Sequence, residues 1–111
     1  MIKSITANLM VENVEETIKF YEDILGFSTF ETVKNEDNII EFVILMKDNL
    51  MLMFQERKNF IKETPILDTD KTKPSISLYI IADDFDELYK KIKSKIKLYK
   101  DLHKTFYEST E

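Results

Sequence analysis

The sequence lacks several residue types on which whole classes of function depend. Its 111 residues include no cysteine or tryptophan, one histidine, one glycine and two prolines. Without cysteine there is no disulfide framework, thiolate nucleophile or thiolate metal site. A single glycine excludes a glycine-rich phosphate-binding loop. No apolar run approaches the roughly 20 residues of a membrane span, and the N-terminus lacks a signal-peptide pattern. We therefore expect a soluble protein without a membrane partner, located in the cytoplasm.

What is present is the composition of one globular domain. Apolar residues make up 43% of the chain and charged residues 33%, and this length suits a single core. The net charge of −5 argues against a nucleic-acid partner, because phosphate binding draws on a basic surface. The lysines between residues 90 and 100 are interpreted as a solvated face.

The first half of the chain predicts a strand, a helix and three further strands. Residues 5–11 alternate between apolar and polar, which is typical of a strand. Asn13 and Glu16 have the spacing of an N-cap and capping box, and Gly26 is placed to end the helix with a positive φ. The β-prone runs that follow cover residues 27–33, 39–46 and 50–55.

The opening pattern returns later in the chain at a constant offset of 71 residues, which places Asn13 on Asp84 and Glu16 on Glu87. Residues 75–82 alternate again, and residues 97–107 predict one more strand. The repeat is therefore short by two strands. The predicted divisions are a first βαβββ module at 1–56, a polar connector at 57–74 with a short turn near 60–62, and an incomplete second module at 75–111.

The segments ITANLMVENVEETIKFYEDILGF and SISLYIIADDFDELYKKIKS resemble the two module openings of the vicinal-oxygen-chelate superfamily of glyoxalases, bleomycin-resistance proteins and dioxygenases. The resemblance implies an α+β fold of paired βαβββ modules, here without the last two strands. In that superfamily the sheets form a cleft, and many members complete it by dimerisation or by exchanging modules. Because the second module stops two strands short, its sheet would keep an unpaired edge, so we expect a homodimer or higher oligomer with exchanged or edge-paired strands near residues 97–107.

The resemblance also locates the positions at which superfamily enzymes commonly hold a divalent metal through histidine and glutamate. These positions fall on Thr6, Met51 and Ser77, and the fourth is absent. Hydroxyl and thioether groups are poor ligands for such a cation. We therefore expect no metal and no cofactor. His103 alone cannot form a metal site and is interpreted as a strand residue or a polar group at the cleft rim.

Strand alternation and the resemblance together place methionine, polar and aromatic side chains on the cleft face. The predicted ligand-binding residues are Asn8, Met10, Met51, Met53, Gln55, Ser77, Tyr79 and His103. This face is either packed core or an adaptable apolar pocket for a flat organic molecule.

No catalytic constellation is visible, so the sequence leaves open whether the protein is an enzyme. The leading hypothesis is a binding module for a small organic molecule, without metal, in a dimeric cleft. One alternative is a metal-dependent lyase, isomerase or dioxygenase whose site is rebuilt or truncated. Another is an inactive structural oligomer.

Overall fold

The computed structural model describes residues 1–73 and 76–95, in which four strands and three α-helices form an α+β structure. The chain divides into two compact units, Met1–Tyr79 and Ile80–Glu111, each treated by itself below. In chain order the elements are β1 (Asn8–Val11), α1 (Val14–Asp23), β2 (Ser28–Lys34), β3 (Ile40–Lys47), β4 (Leu50–Glu56), α2 (Arg57–Glu63), a 3₁₀ turn (Pro65–Leu67) and α3 (Phe85–Lys95).

The strands of the first unit form one mixed sheet in the order β1-β4-β3-β2. The pairs β2–β3 and β3–β4 are antiparallel, and the edge strand β1 runs parallel to β4. A parallel neighbour requires a crossover connection, which α1, β2 and β3 provide. The predicted α+β class and the βαβββ order of the first module are confirmed.

Helix α1 begins and ends where the sequence predicts, for local reasons. The extended Asn13 accepts a hydrogen bond from the backbone N–H of Glu16 through its side-chain oxygen at 3.0 Å, which satisfies a helix donor that lacks an intrahelical partner. After the last turn, Gly26 adopts a φ of +75°. Phe27 then donates its N–H to the Tyr21 carbonyl at 3.0 Å.

Helix α1 covers one face of the sheet, and the core lies between them. The buried cluster consists of Val14, Val43, Leu45 and Phe54. The partly buried side chains packed against it are Leu9, Val11, Ile18, Tyr21, Phe27, Ile40 and Leu52. Because side chains alternate along a strand, the intervening residues of β1, β3 and β4 point to the opposite face. We call this opposite face the open face, defined by Met10, Phe42, Ile44, Met46, Met51 and Met53.

The predicted polar connector contains more structure than the short turn expected near residues 60–62. It begins with α2, whose N-cap is the Glu56 side chain. The Glu56 carboxylate accepts hydrogen bonds from the backbone N–H groups of Lys58 at 2.8 Å and Asn59 at 3.1 Å. Glutamate is not among the preferred N-cap residues, so this helix start could not be predicted from a capping residue. The expectation of a mere turn was wrong.

Two predicted strands differ in the structure. Strand β1 begins at Asn8 rather than at residue 5, and residues 76–82 form neither helix nor strand. Alternation shows that a segment fits a pleated surface, but a strand also needs a neighbour with which to form backbone hydrogen bonds. In the described part of the chain, residues 76–82 have no such ladder.

The helix of the repeat is confirmed in the second unit. Helix α3 begins at Phe85, which lies 71 residues after Val14, the first residue of α1. Leu88 donates its N–H to the Asp84 carbonyl at 3.0 Å.

The strand predicted at 97–107 and His103 lie outside the described residues. The divisions after residues 56 and 74 stay a prediction. No helix among residues 1–73 and 76–95 combines the length and the apolar character that a bilayer span requires.

Candidate ligand-binding cavity

A cavity of about 620 Å³ lies in the first unit between the edge strand β1, helix α2 and the chain that follows it. Its apolar lining residues are Leu9, Met10, Val11, Phe54, Phe60, Leu67 and Ile76. Its polar lining residues are Asn8, Thr69, Thr72 and Lys73. A concave, mostly apolar space of roughly 300–1,000 Å³ with a few polar groups is typical of sites for small organic molecules.

The outer wall of the cavity is attached to the sheet by Glu12 and Arg57. The Arg57 Nε donates to the Glu12 carboxylate at 3.2 Å, and the Arg57 Nη1 donates to the Thr69 carbonyl at 3.0 Å. The backbone N–H of Thr72 donates to the same Glu12 carboxylate at 2.8 Å. Residues 69–72 are thereby held against the end of β1, and the wall has a defined position.

These contacts change the acidity of Glu12. Its pKa lies below the ordinary value of 4.5, chiefly because the backbone N–H of Thr72 hydrogen-bonds to the carboxylate, with a further contribution from Arg57. Hydrogen bonds and a positive charge both favour the ionised form. The attachment of residues 69–72 is therefore strongest when Glu12 is charged.

A chain of hydrogen-bonded side chains runs from β1 to α2 through Gln55, which is almost fully buried. The Gln55 Oε1 accepts from the Asn8 Nδ2 at 2.9 Å. The Gln55 Nε2 donates to the Asn59 Oδ1 at 2.5 Å and to the Glu63 Oε2 at 3.1 Å. A buried amide is stable only when its donors and acceptors are satisfied, and Gln55 uses both N–H groups and its oxygen. Asn8, Gln55, Asn59 and Glu63 are called the amide relay below.

One atom of the amide relay is left without a partner. The Asn8 Oδ1 is buried and accepts no hydrogen bond from the described residues. A buried acceptor in this state costs about 1–3 kcal/mol of stability. Asn8 also lines the cavity, so the unsatisfied acceptor belongs to a residue of the cavity wall.

The structure brings some of the predicted cleft residues together. Asn8 and Met10 line the cavity, and in the parallel ladder they lie opposite Met53 and Gln55 respectively. Met51 continues the same face of β4 and is 37% exposed. These positions share one face, as the alternation predicted, but Met51, Met53 and Gln55 do not line the cavity.

Other predicted site residues are placed differently. Ser77 and Tyr79 lie in the stretch without a strand, and both are exposed, Tyr79 at 66%. The connector also contributes to the cavity lining, through Phe60, Leu67 and Thr72, and none of these residues was predicted. The isolated apolar residues in this polar stretch were the available signal.

The positions that correspond to the superfamily's metal ligands do not offer a metal site. The Thr6 Oγ1 and the Met51 Sδ lie 3.8 Å apart, so the fold does bring these two positions together. A neutral hydroxyl and a thioether are nevertheless weak donors for a hard or borderline divalent cation. Among the residues that the structure describes, no group of three or more histidine, cysteine, aspartate or glutamate side chains is arranged to hold a metal ion.

Comparison with known proteins places the chain in a family. The family model described as the Glyoxalase/Bleomycin resistance protein/Dioxygenase superfamily matches residues 2–110. The chain belongs to this superfamily. No curated protein matches the sequence.

Solved structures of the superfamily have the same fold. A superfamily member from Sphaerobacter thermophilus is 18% identical with a TM-score of 0.69, and the match covers 99% of this chain and 85% of that one. Lactoylglutathione lyase from Agrobacterium tumefaciens is 12% identical with a TM-score of 0.66, covering 99% and 83%. A bleomycin resistance determinant encoded on the transposon Tn5 is 25% identical with a TM-score of 0.57, covering 98% and 84%.

Proposed function

We propose that this superfamily member is a binding module that holds a small, mostly apolar organic molecule in the cavity beside β1, without a metal ion. The observation that carries the proposal is the cavity itself, whose volume of about 620 Å³ and predominantly apolar lining suit such a ligand. Burial of apolar ligand surface supplies the driving force, and Asn8, Thr69, Thr72 and Lys73 orient the bound molecule.

The donor chemistry favours binding over metal-dependent catalysis. Thr6 and Met51 offer a hydroxyl and a thioether where superfamily enzymes commonly use histidine and glutamate. The similarity to a bleomycin resistance determinant is consistent with the capture of an organic molecule.

We further propose that two copies of the chain complete the cleft. Strand β1 is one of the two edge strands of the sheet. In a parallel ladder, the backbone N–H and C=O groups of every second residue form hydrogen bonds to the adjacent strand, and those of the residues between them point the other way. Since the Met53 N–H donates to the Ala7 carbonyl, the backbone groups of Asn8 and Met10 point away from β4. A second copy would cover this edge together with the open face.

The cavity can be tested by filling it. Leu67 lines the cavity and is 45% exposed, whereas its neighbour Ile66 is 91% exposed and does not line it. Leu67→Trp should therefore occupy cavity space, and Ile66→Trp should add the same side chain outside it. Three probes of different shape, indole, 2-naphthol and cyclohexanol, are titrated into the wild-type protein and both variants, and backbone amide shifts are followed by NMR.

The expected result is a set of ligand-induced shifts at Leu9, Val11 and Phe60 in the wild type and in Ile66→Trp, with weaker binding in Leu67→Trp. Thermal unfolding checks that both variants remain folded. If none of the three probes shifts these amides in the wild type, the proposed binding function is wrong.

A further inference from the structure

One charged side chain contributes to the cavity wall. Among the lining residues in the described part of the chain, Lys73 carries a charge at neutral pH and none is a carboxylate. The Lys73 side chain is 63% exposed, whereas Phe54, which also lines the cavity, is only 3% exposed. The cavity therefore has a buried apolar part and a solvent-exposed part that carries a positive charge.

The other polar lining residues are engaged within the protein. The Asn8 Nδ2 donates within the amide relay, and the Asn8 Oδ1 is buried. The Thr69 hydroxyl donates to the Lys71 carbonyl at 2.8 Å, and the Thr72 Oγ1 is buried. The dipoles of these three residues are thereby fixed, so Lys73 is the lining residue whose polar group can turn towards a ligand.

The Lys73 ammonium is only loosely paired with its acidic neighbour. Its Nζ lies 3.9 Å from the Asp70 Oδ1, which is too long for a hydrogen bond between nitrogen and oxygen. The Asp70 side chain is 85% exposed, and an exposed ion pair of this kind contributes little free energy. Asp70 does not line the cavity. A carboxylate on a bound molecule can therefore replace Asp70 as the partner of Lys73.

The other ion pair of the wall is neutral overall. The Glu12 carboxylate accepts from the Arg57 Nε at 3.2 Å and from the Thr72 N–H at 2.8 Å. Neither Glu12 nor Arg57 lines the cavity. The charge that a ligand meets at the wall is therefore that of Lys73.

We propose that the cavity selects apolar organic acids, whose apolar body occupies the buried part and whose carboxylate pairs with the Lys73 ammonium in the exposed part. The proposal deepens and rests on the proposed binding function, because it names the chemical class of the ligand. Lys73 is the residue that determines this specificity.

The length of the lysine side chain supports this pairing. Its ammonium lies at the end of a flexible stem about 6 Å long, so the charge is roughly one side-chain length or less from the lining. Charges separated by less than about 8 Å are only partly screened at physiological salt. A carboxylate in the exposed part of the cavity also keeps part of its hydration, so the large cost of burying an ion is avoided.

The test compares 2-naphthoate with 2-naphthamide, two molecules of nearly equal shape that differ in charge. Dissociation constants are measured by NMR titration of the full chain, with the amide shifts of Leu9 and Phe60 as the reporters. In the wild type, 2-naphthoate should bind roughly three- to tenfold more tightly than 2-naphthamide.

The decisive variant is Lys73→Gln, with Lys71→Gln as the matched control. Both substitutions remove one lysine charge from the same segment, but Lys71 is exposed and does not line the cavity. The preference for 2-naphthoate should fall to within about twofold in Lys73→Gln and stay unchanged in Lys71→Gln. Asp70→Asn removes the competing carboxylate, so it should raise the preference by about twofold.

Each outcome separates the two proposals. A preference that is lost in Lys73→Gln, kept in Lys71→Gln and raised in Asp70→Asn supports the inference. Equal binding of both molecules to the wild type, a preference that survives in Lys73→Gln, an equal loss in both lysine variants, or no rise in Asp70→Asn overturns the inference and leaves the binding function standing. Thermal unfolding confirms that each variant is folded. If neither molecule binds the wild type at the cavity, the binding function and the inference both fail.

Discussion

At the scale of single residues, Glu12 joins three parts of the chain. One carboxylate at the end of β1 accepts from the start of α2 and from the backbone of residue 72. This side chain is about half exposed, at 53%, and exposed ion pairs alone contribute little to stability. Its importance lies in position, because it connects the outer wall of the cavity to the edge of the sheet.

The lowered pKa of Glu12 predicts how this connection responds to acid. A carboxyl group whose folded pKa is depressed contributes stability that is fully present above its unfolded pKa and is lost as the pH falls through the folded pKa. The amide proton of Thr72 should therefore follow the ionisation of Glu12 in an NMR titration from about pH 7 to about pH 2. Its midpoint should lie below 4.5.

Glu12→Gln serves as the control for this titration, because it keeps a hydrogen-bond acceptor and removes the charge. The pH-dependent movement of the Thr72 amide should disappear in this variant. A wild-type midpoint at or above 4.5 would contradict the predicted direction.

At the scale of elements, β3 and β4 provide a matched pair of leucines. Leu45 is fully buried in the core, whereas Leu50 in the next strand is 55% exposed. Leu45→Ala removes the same atoms as Leu50→Ala but also leaves a cavity in the packed core, which should cost about 2–5 kcal/mol of the free energy of unfolding. The exposed substitution should cost about 0.5 kcal/mol or less.

Urea unfolding followed by circular dichroism measures the difference, provided that the denaturant dependence of the unfolding free energy is the same in both variants. Equal losses in Leu45→Ala and Leu50→Ala would mean that α1 does not cover β3 as described.

The elements that could be predicted from the sequence are those whose bounds depend on residues close by in the chain. An asparagine cap at residue 13 and a single glycine at residue 26 act within a few residues, so the bounds of α1 could be predicted directly. The turns between strands also depend only on nearby residues, and they contain the positive-φ residues Asn38 and Asp48. Residues 76–82 failed as a strand because ladder formation depends on a neighbour far away in the chain.

The same distinction applies to the candidate site. Alternation correctly placed Asn8, Met10 and Gln55 on one face, because this period is a property of any strand. It could not identify Asn59 and Glu63 as partners of Gln55, since that contact depends on how α2 returns over the sheet. The outer wall of the cavity was missed for the same reason.

At the scale of the whole molecule, we predict a homodimer in which the open face and the edge of β1 are covered. Light scattering should give twice the chain mass of 13.2 kDa, and specific dimers of this kind typically bury roughly 1,200–2,000 Å². Met51→Lys places a charge on the open face and should shift the protein towards the monomer. Leu50→Lys places the same charge on the opposite face of β4 and should leave the dimer intact.

A folded wild-type monomer of 13.2 kDa at low micromolar concentration would contradict the dimer prediction. Equal dissociation in Met51→Lys and Leu50→Lys would place the contact surface elsewhere. Circular dichroism confirms that each lysine variant is folded before its mass is interpreted.

The parallel pairing of β1 with β4 also has a kinetic consequence. Asn8 and Gln55 are hydrogen-bonded although 47 positions separate them in the chain, whereas β2, β3 and β4 are joined by short turns. Closing a long loop costs more entropy than forming a hairpin, so β1 should dock last during folding and detach first in local opening. Detachment of β1 removes one side of the cavity. Local opening of this edge strand should therefore also release a bound molecule, so the stability of the β1–β4 pairing limits how long the complex can last.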